Sequence, residues 1–144
     1  MFFGQHQQKL DAKFRMTIPS QHRRYLEDGM MVTVSVYDDC LLLFPMEEWK
    51  IRSAKIEALK GVSSAVRKVR RQFFSHAEHA ELDKQGRILL NQRLRDVGQI
   101  DADVMVAGNN THLEIWSTNN WADHDIDKLD EEVLQELDVL DVFY

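Results

Sequence analysis

The chain has almost nothing with which to staple itself or anchor itself in a membrane. It carries a single cysteine, Cys40, in 144 residues. That excludes an intrachain disulfide and fits a reducing cytosol. Two prolines and six glycines form no Gly-, Pro- or Ser-rich linker between independent domains. The longest apolar run, Cys40 to Met46, falls far short of the roughly 18 residues that mark a membrane helix. The opening Met1-Phe2-Phe3-Gly4-Gln5-His6 lacks the charged start and apolar stretch of a secretory signal, so a soluble cytoplasmic protein is expected. Signatures of catalysis are missing too: there is no phosphate-binding glycine loop and no G-x-S-x-G nucleophile turn. His76, His79 and Asp83, with Cys40, can be drawn as a metal or catalytic cluster. His-x-x-His ahead of a turn, however, lacks the paired-ligand spacing of a strong zinc motif, and a strand edge accounts for these histidines. No catalytic residue, metal, cofactor or small-molecule substrate is expected.

What the chain does have is a repeat. Lys9-Leu10-Asp11-Ala12-Lys13-Phe14-Arg15-Met16-Thr17-Ile18 returns as Glu81-Leu82-Asp83-Lys84-Gln85-Gly86-Arg87-Ile88-Leu89-Leu90, 72 residues on. The same shift relates Val32 to Val104, Leu41 to Leu113, Leu43 to Ile115, Phe44 to Trp116 and Trp49 to Trp121. A fixed period of this kind marks a duplicated unit, and the chain length suits two intimately packed halves. We divide it into a first module with its helical connection (1–75), a second module (76–122) and an acidic C-terminal helix (123–144).

The net charge of −6 argues against a nucleic-acid partner until its distribution is read. Residues 123–142 hold nine acids against Lys128 alone, which leaves 17 basic and 15 acidic side chains in residues 1–122. Within residues 9–24, Lys9, Lys13, Arg15, Arg23 and Arg24 face only Asp11. A basic face is compatible with the sequence, and the acidic tail masks it in the total.

Each half reads as turn, short strand, short helix and β-hairpin. In the first half the turn spans Asp11–Phe14, the strand Met16–Ile18 and the helix opens at Pro19-Ser20, ending before Gly29. The hairpin pairs Val32–Val36 with Leu41–Phe44. The second half repeats this with a turn at Asp83–Gly86, a strand from Arg87, a helix from Asn91 to Val97 and a hairpin turning at Gly108-Asn109-Asn110. Helices follow near Trp49 and Trp121, and another starts at the Ser63-Ser64 cap with Val66, Val69 and Phe73 on one side. Arg67, Lys68, Arg70 and Arg71 crowd the rest of that helix, as a solvated face, a subunit interface or an extension of the basic surface. Ile126, Leu129, Val133, Leu137 and Leu140 recur at helical spacing, so the tail is an amphipathic helix that packs against something.

The polar feature kept by the duplication is chiefly Asp-x-x-x-Arg. Asp at a turn start can accept hydrogen bonds from amides two or three residues on and pin the loop. An arginine leaving such a turn stands on a fixed stem and loses less entropy on meeting a phosphate or a guanine edge. The plainer alternative is an ion pair closing its own turn, worth at most about 1 kcal/mol when exposed.

Leu-Asp-x-Lys-x-Arg-x-x-Ile-Pro near the start and Leu-Asp-x-x-Gly-Arg-Ile-Leu-Leu later resemble the MraZ family. So do Met1-Phe2-Phe3-Gly4, the Cys40–Pro45 run before a Glu-Trp, and Phe74-Ser75-His76-Ala77. The resemblance covers nearly all of residues 1–122. It implies an α+β fold with a mainly β core: two tandem SpoVT–AbrB-type modules forming one swapped-hairpin-type β-barrel, with helices after each. It also implies a DNA-binding transcriptional regulator of the bacterial division and cell-wall gene cluster, usually repressing its own operon, nucleoid-associated and assembled into rings. Double-stranded DNA with promoter direct repeats is the implied partner. The family motif maps onto Asp11, Lys13 and Arg15, then onto Asp83, Gly86 and Arg87. With the basic flank, the expected DNA-binding set is Arg15, Lys13, Lys9, Arg23, Arg24 and Arg87, and the loop-structuring set is Asp11, Asp83 and Gly86. Phe14 stands where the family's first turn usually has glycine, so that turn either keeps a negative φ or carries strain. Lys84-Gln85 departs from the family order in the second turn, so Arg87 need not be equivalent to Arg15. The far more basic flank of the first module favours that module as the principal contact. The competing reading is an AbrB-type antitoxin or interaction module using the acidic tail.

Overall fold

The computed structural model describes residues 1–59, 63–124 and 127–141. Eight strands, five α-helices and one 3-10 helix are found among them. The first half contains β1 (Gln5–Lys9), β2 (Arg15–Thr17), the 3-10 helix (Ser20–Leu26), β3 (Met30–Val34), β4 (Leu41–Pro45) and α1 (Met46–Glu57). After α2 (Ser64–Ser75) come β5 (Glu78–Ala80), β6 (Arg87–Leu89), α3 (Gln92–Val97), β7 (Asp103–Gly108), β8 (Leu113–Ser117) and α4 (Thr118–His124), with α5 (Glu131–Leu140) last.

The 72-residue repeat is visible in the topology. A six-stranded antiparallel sheet runs β1-β7-β8-β4-β3-β5, and a separate ribbon pairs β2 with β6. The pseudo-twofold axis passes between β4 and β8, where Leu41 faces Ile115 and Leu43 faces Leu113. Each half sends its first strand across this axis: β1 pairs with β7, and β5 pairs with β3. The halves are thereby interleaved in the duplicated AbrB-like manner, α+β with a mainly β core, as expected.

One core lies between sheet and ribbon. Met16, Ile18, Ile88 and Leu90 from the ribbon segments meet Val32, Leu41, Leu43, Val104, Val106, Leu113 and Ile115 from the sheet. Burying a side chain of this size is worth about 1.5–3 kcal/mol, so the ribbon carrying both turns is fixed by apolar packing on its inner side. On the sheet's other face, Phe73 of α2 is buried beside Phe44 and stacks on Trp49 of α1, centroids 5.3 Å apart.

Several expectations need refinement. β1 was not anticipated, because Gln-His-Gln-Gln-Lys carries little apolar signal. The strand edge read at His76 and His79 is found at His79, in β5, and both strands lie at a sheet edge. The acidic helix is confined to Glu131–Leu140, because the Asp130 side chain accepts the Val133 amide and caps a new start there. Leu129 stands outside that helix, and Ile126 lies outside the described residues.

The N-terminus is tied down rather than trailing. Phe2 exchanges backbone hydrogen bonds with Asn110 at 2.9 and 2.7 Å, and its buried ring meets His22 and Tyr25. A Cβ on Gly108 would strike the Phe3 backbone at 2.2 Å, so this close approach of chain to hairpin requires glycine.

Candidate nucleic-acid interface

Asp11 and Asp83 build the same turn twice. Asp11 Oδ1 accepts the Lys13 and Arg15 amides, both at 2.9 Å, and Oδ2 accepts Arg15 Nε at 2.7 Å. Asp83 Oδ1 accepts the Gln85 and Arg87 amides, and Oδ2 accepts Arg87 Nε, all at 2.9 Å. In each turn the amide of the arginine is the foremost cause holding the aspartate carboxyl below its usual pKa. Both carboxylates are therefore ionised at neutral pH and fix the Cα and Nε of their arginine.

The ribbon joins the turns through reciprocal bonds. Ile18 N–H donates to Gly86 O at 2.8 Å, and Leu90 N–H donates to Phe14 O at 3.0 Å. The two arginines then differ. Arg87 also reaches Asp11 Oδ2 with Nη1 at 3.4 Å and Gln85 Oε1 with Nη2 at 3.2 Å. Arg15 uses Nε alone, and among the described residues its two terminal amino groups have no partner.

Position 14 resolves the alternative posed by the sequence. Phe14 has φ +61° and its counterpart Gly86 has φ +74°, so the first turn keeps the left-handed conformation and phenylalanine bears the cost. Two further arginines, also 72 residues apart, serve these positions. Arg23 donates Nε to Ile18 O at 2.9 Å and lies over Gly86, where an added Cβ would fall 2.4 Å from Cζ. Arg95 donates Nε to Leu90 O at 3.0 Å and stacks on the Phe14 ring, with Cζ 3.6 Å from the centroid. Sequence reasoning placed Arg23 on the contact surface and passed over Arg95. The same shift that pairs Arg15 with Arg87 pairs these two, and was the signal available. Arg23 is a half-buried brace of the second turn.

The remaining basic residues scatter more widely. Lys13 is exposed on the first turn, and Lys9 is exposed at the end of β1 opposite Asp103. Arg24 stacks on Tyr25 at 4.7 Å and donates Nη2 to its hydroxyl, which ties it to the Phe2 side of the molecule. The histidine–cysteine cluster does not assemble. Cys40 is buried, which pushes its thiol pKa up, and Asp83 is occupied by its own turn. Among the described residues no three His, Cys, Asp or Glu side chains are placed to hold a metal ion, and no helix is long and apolar enough to cross a membrane.

Strand exchange, a shared core and mirrored Asp–Arg turns define an AbrB-like protein of two fused modules. A protein-family model described as "MraZ protein, putative antitoxin-like" matches residues 1–71 and 73–136. The chain is 37% identical over 141 residues to the "Transcriptional regulator MraZ" of Marinomonas sp., covering 95% of this chain and 93% of that one. It is 40% identical over 124 residues to proteins of the same name from Desulfitobacterium hafniense and Syntrophomonas wolfei, with 86% of each chain covered. The chain belongs to the MraZ family.

Proposed function

We propose that this chain is a transcriptional regulator that binds double-stranded DNA through its ribbon turns, with Arg15 as the principal base-reading side chain. One observation carries the reading. Asp11 holds the Arg15 amide and Nε, while both terminal amino groups remain open. A guanidinium fixed on one edge and open on the other is set up for bidentate contact with guanine O6 and N7 or with a phosphate. Lys13 and Lys9 neutralise backbone phosphates and set register without reading sequence. Arg87, satisfied by Asp83, Asp11 and Gln85, acts mainly by fixing the position of Asp11 and the first turn.

One small module binds weakly. Several copies, assembled as a homo-oligomeric ring on direct repeats, gain effective concentration, and occupation of the promoter represses the operon without any chemistry. The operon is the chain's own, in the division and cell-wall gene cluster, and the chain works in the cytoplasm at the nucleoid. The test is fluorescence anisotropy with DNA from upstream of the chain's own gene against unrelated DNA, at several salt concentrations. Tight upstream binding with a steep salt slope supports the proposal. Equal weak binding to both DNAs transfers the reading to a protein partner.

A further inference from the structure

We propose that α5 docks in the groove between α1 and α2 of a second copy of this chain. This specifies one contact within the proposed homo-oligomer and rests on that part of the reading alone.

The donor is a helix whose apolar face has no cover. Val133, Leu134, Leu137 and Leu140 fall on one stripe of α5 at helical spacing. Leu134 is 47% exposed and Leu140 63%, and none of the helix is buried. Glu131, Glu132, Gln135, Glu136, Asp138 and the exposed Val139 make up the rest of it, without a basic residue. Its position in chain order matches that of α2, yet α2 buries Phe73 on the sheet whereas α5 buries nothing.

The acceptor is a groove of about 450 Å³ whose apolar lining includes Ile56, Leu59, Val66 and Val69. Leu59 and Val69 are exposed there, at 49% and 44%. Arg52, Lys55 and Arg70 line the same groove together with Asp38 and Glu114, and Arg52 is paired with Glu48 at 2.9 Å. Arg70 already attracts one carboxylate, that of Glu57 at 2.9 Å. The walls are twelve-residue helices of roughly 18 Å, and the ten residues of α5 span roughly 15 Å, at 1.5 Å per residue. Length and apolar stripe agree, and the groove's three cations outnumber its two carboxylates opposite an acidic helix. The donated helix and the receiving groove are different surfaces. The contact is therefore either exchanged reciprocally in a twofold dimer or repeated head to tail, the arrangement that closes rings when the rotation allows.

The experiment uses two full-length variants, Val69→Cys and Leu134→Cys, mixed and then oxidised, with buried Cys40 left in place. The expected result is a covalent dimer from the mixture and from neither variant alone. Removal of residues 131–144 should also lower the mass measured by light scattering to a smaller species. Two results overturn the proposal: no disulfide from the mixture, or a Val69→Cys/Leu134→Cys double variant that closes only within its own chain. A large oligomer that persists without the cross-link sinks this contact alone. A monomeric full-length chain sinks the homo-oligomer as well.

Discussion

The Arg95 guanidinium lies 3.6 Å from the centroid of the Phe14 ring, in the place where its counterpart Arg23 lies over the bare backbone of Gly86. The duplicated arginine thus braces both turns, and the side chain beneath it differs. A left-handed non-glycine residue costs about 1 kcal/mol or more, and a cation–π contact at an exposed site returns about 0.5–1 kcal/mol. A double-mutant cycle of Phe14→Ala and Arg95→Ala, followed by urea unfolding, should give a coupling energy of about 0.5–1 kcal/mol. Strict additivity would remove the stack from the account.

Gly86 admits no such compromise. Gly86→Ala places a Cβ against the Arg23 guanidinium at φ +74°, and the expected loss is about 1–3 kcal/mol by denaturant unfolding. Adding Arg23→Ala should recover only part of that loss, since it removes the clash and leaves the backbone strain.

Asp11 and Asp83 are held, in the folded state, below the ordinary carboxyl pKa of 3.8. Groups shifted this way contribute stability that is complete above the unfolded value and is lost as pH falls through the folded one. Asp83→Asn should flatten the stability curve below about pH 4 and leave the neutral plateau's slope unchanged. An unchanged acid limb in the variant would contradict the pinning role.

His22 sets a second window. It is buried, its pKa is lowered from 6.5 chiefly by desolvation and further by nearby His6 and the N-terminal ammonium, and neither ring nitrogen has a partner among the described residues. The folded state therefore binds its proton less readily than the unfolded chain. Stability should fall as pH drops from about 6.5 through the lower folded value. Urea midpoints compared at about pH 7.5 and about pH 5.5 should differ less in His22→Phe than in the parent.

The strands rich in branched residues, both hairpins, the helix start at Asn91, the Ser63 cap and the two Asp–Arg turns were all legible, because apolar periodicity and turn chemistry act locally. β1 escaped because Gln5, His6, Gln7, Gln8 and Lys9 show no apolar alternation, and that segment is a strand only because β7 offers it a ladder. The asymmetry between Arg15 and Arg87 was likewise hidden. It depends on Arg87 reaching Asp11 across 76 residues, a contact that no local pattern encodes. Phe14 left both a negative φ and strain open in the sequence. The reciprocal Leu90–Phe14 hydrogen bond across the ribbon accompanies the positive φ.

The central claim is that the two turns are alike in backbone and unlike in function, and it is tested most directly by comparing Arg15→Ala with Arg87→Ala in anisotropy titrations on the upstream DNA. The account predicts that Arg15→Ala weakens specific binding by about 1–3 kcal/mol, toward the level of unrelated DNA, with the fold intact by circular dichroism. Arg87→Ala should weaken it less, and Lys13→Ala should lower the salt slope by about one unit for every sequence. A folded Arg15→Ala protein that binds upstream DNA as tightly as the parent would contradict the account.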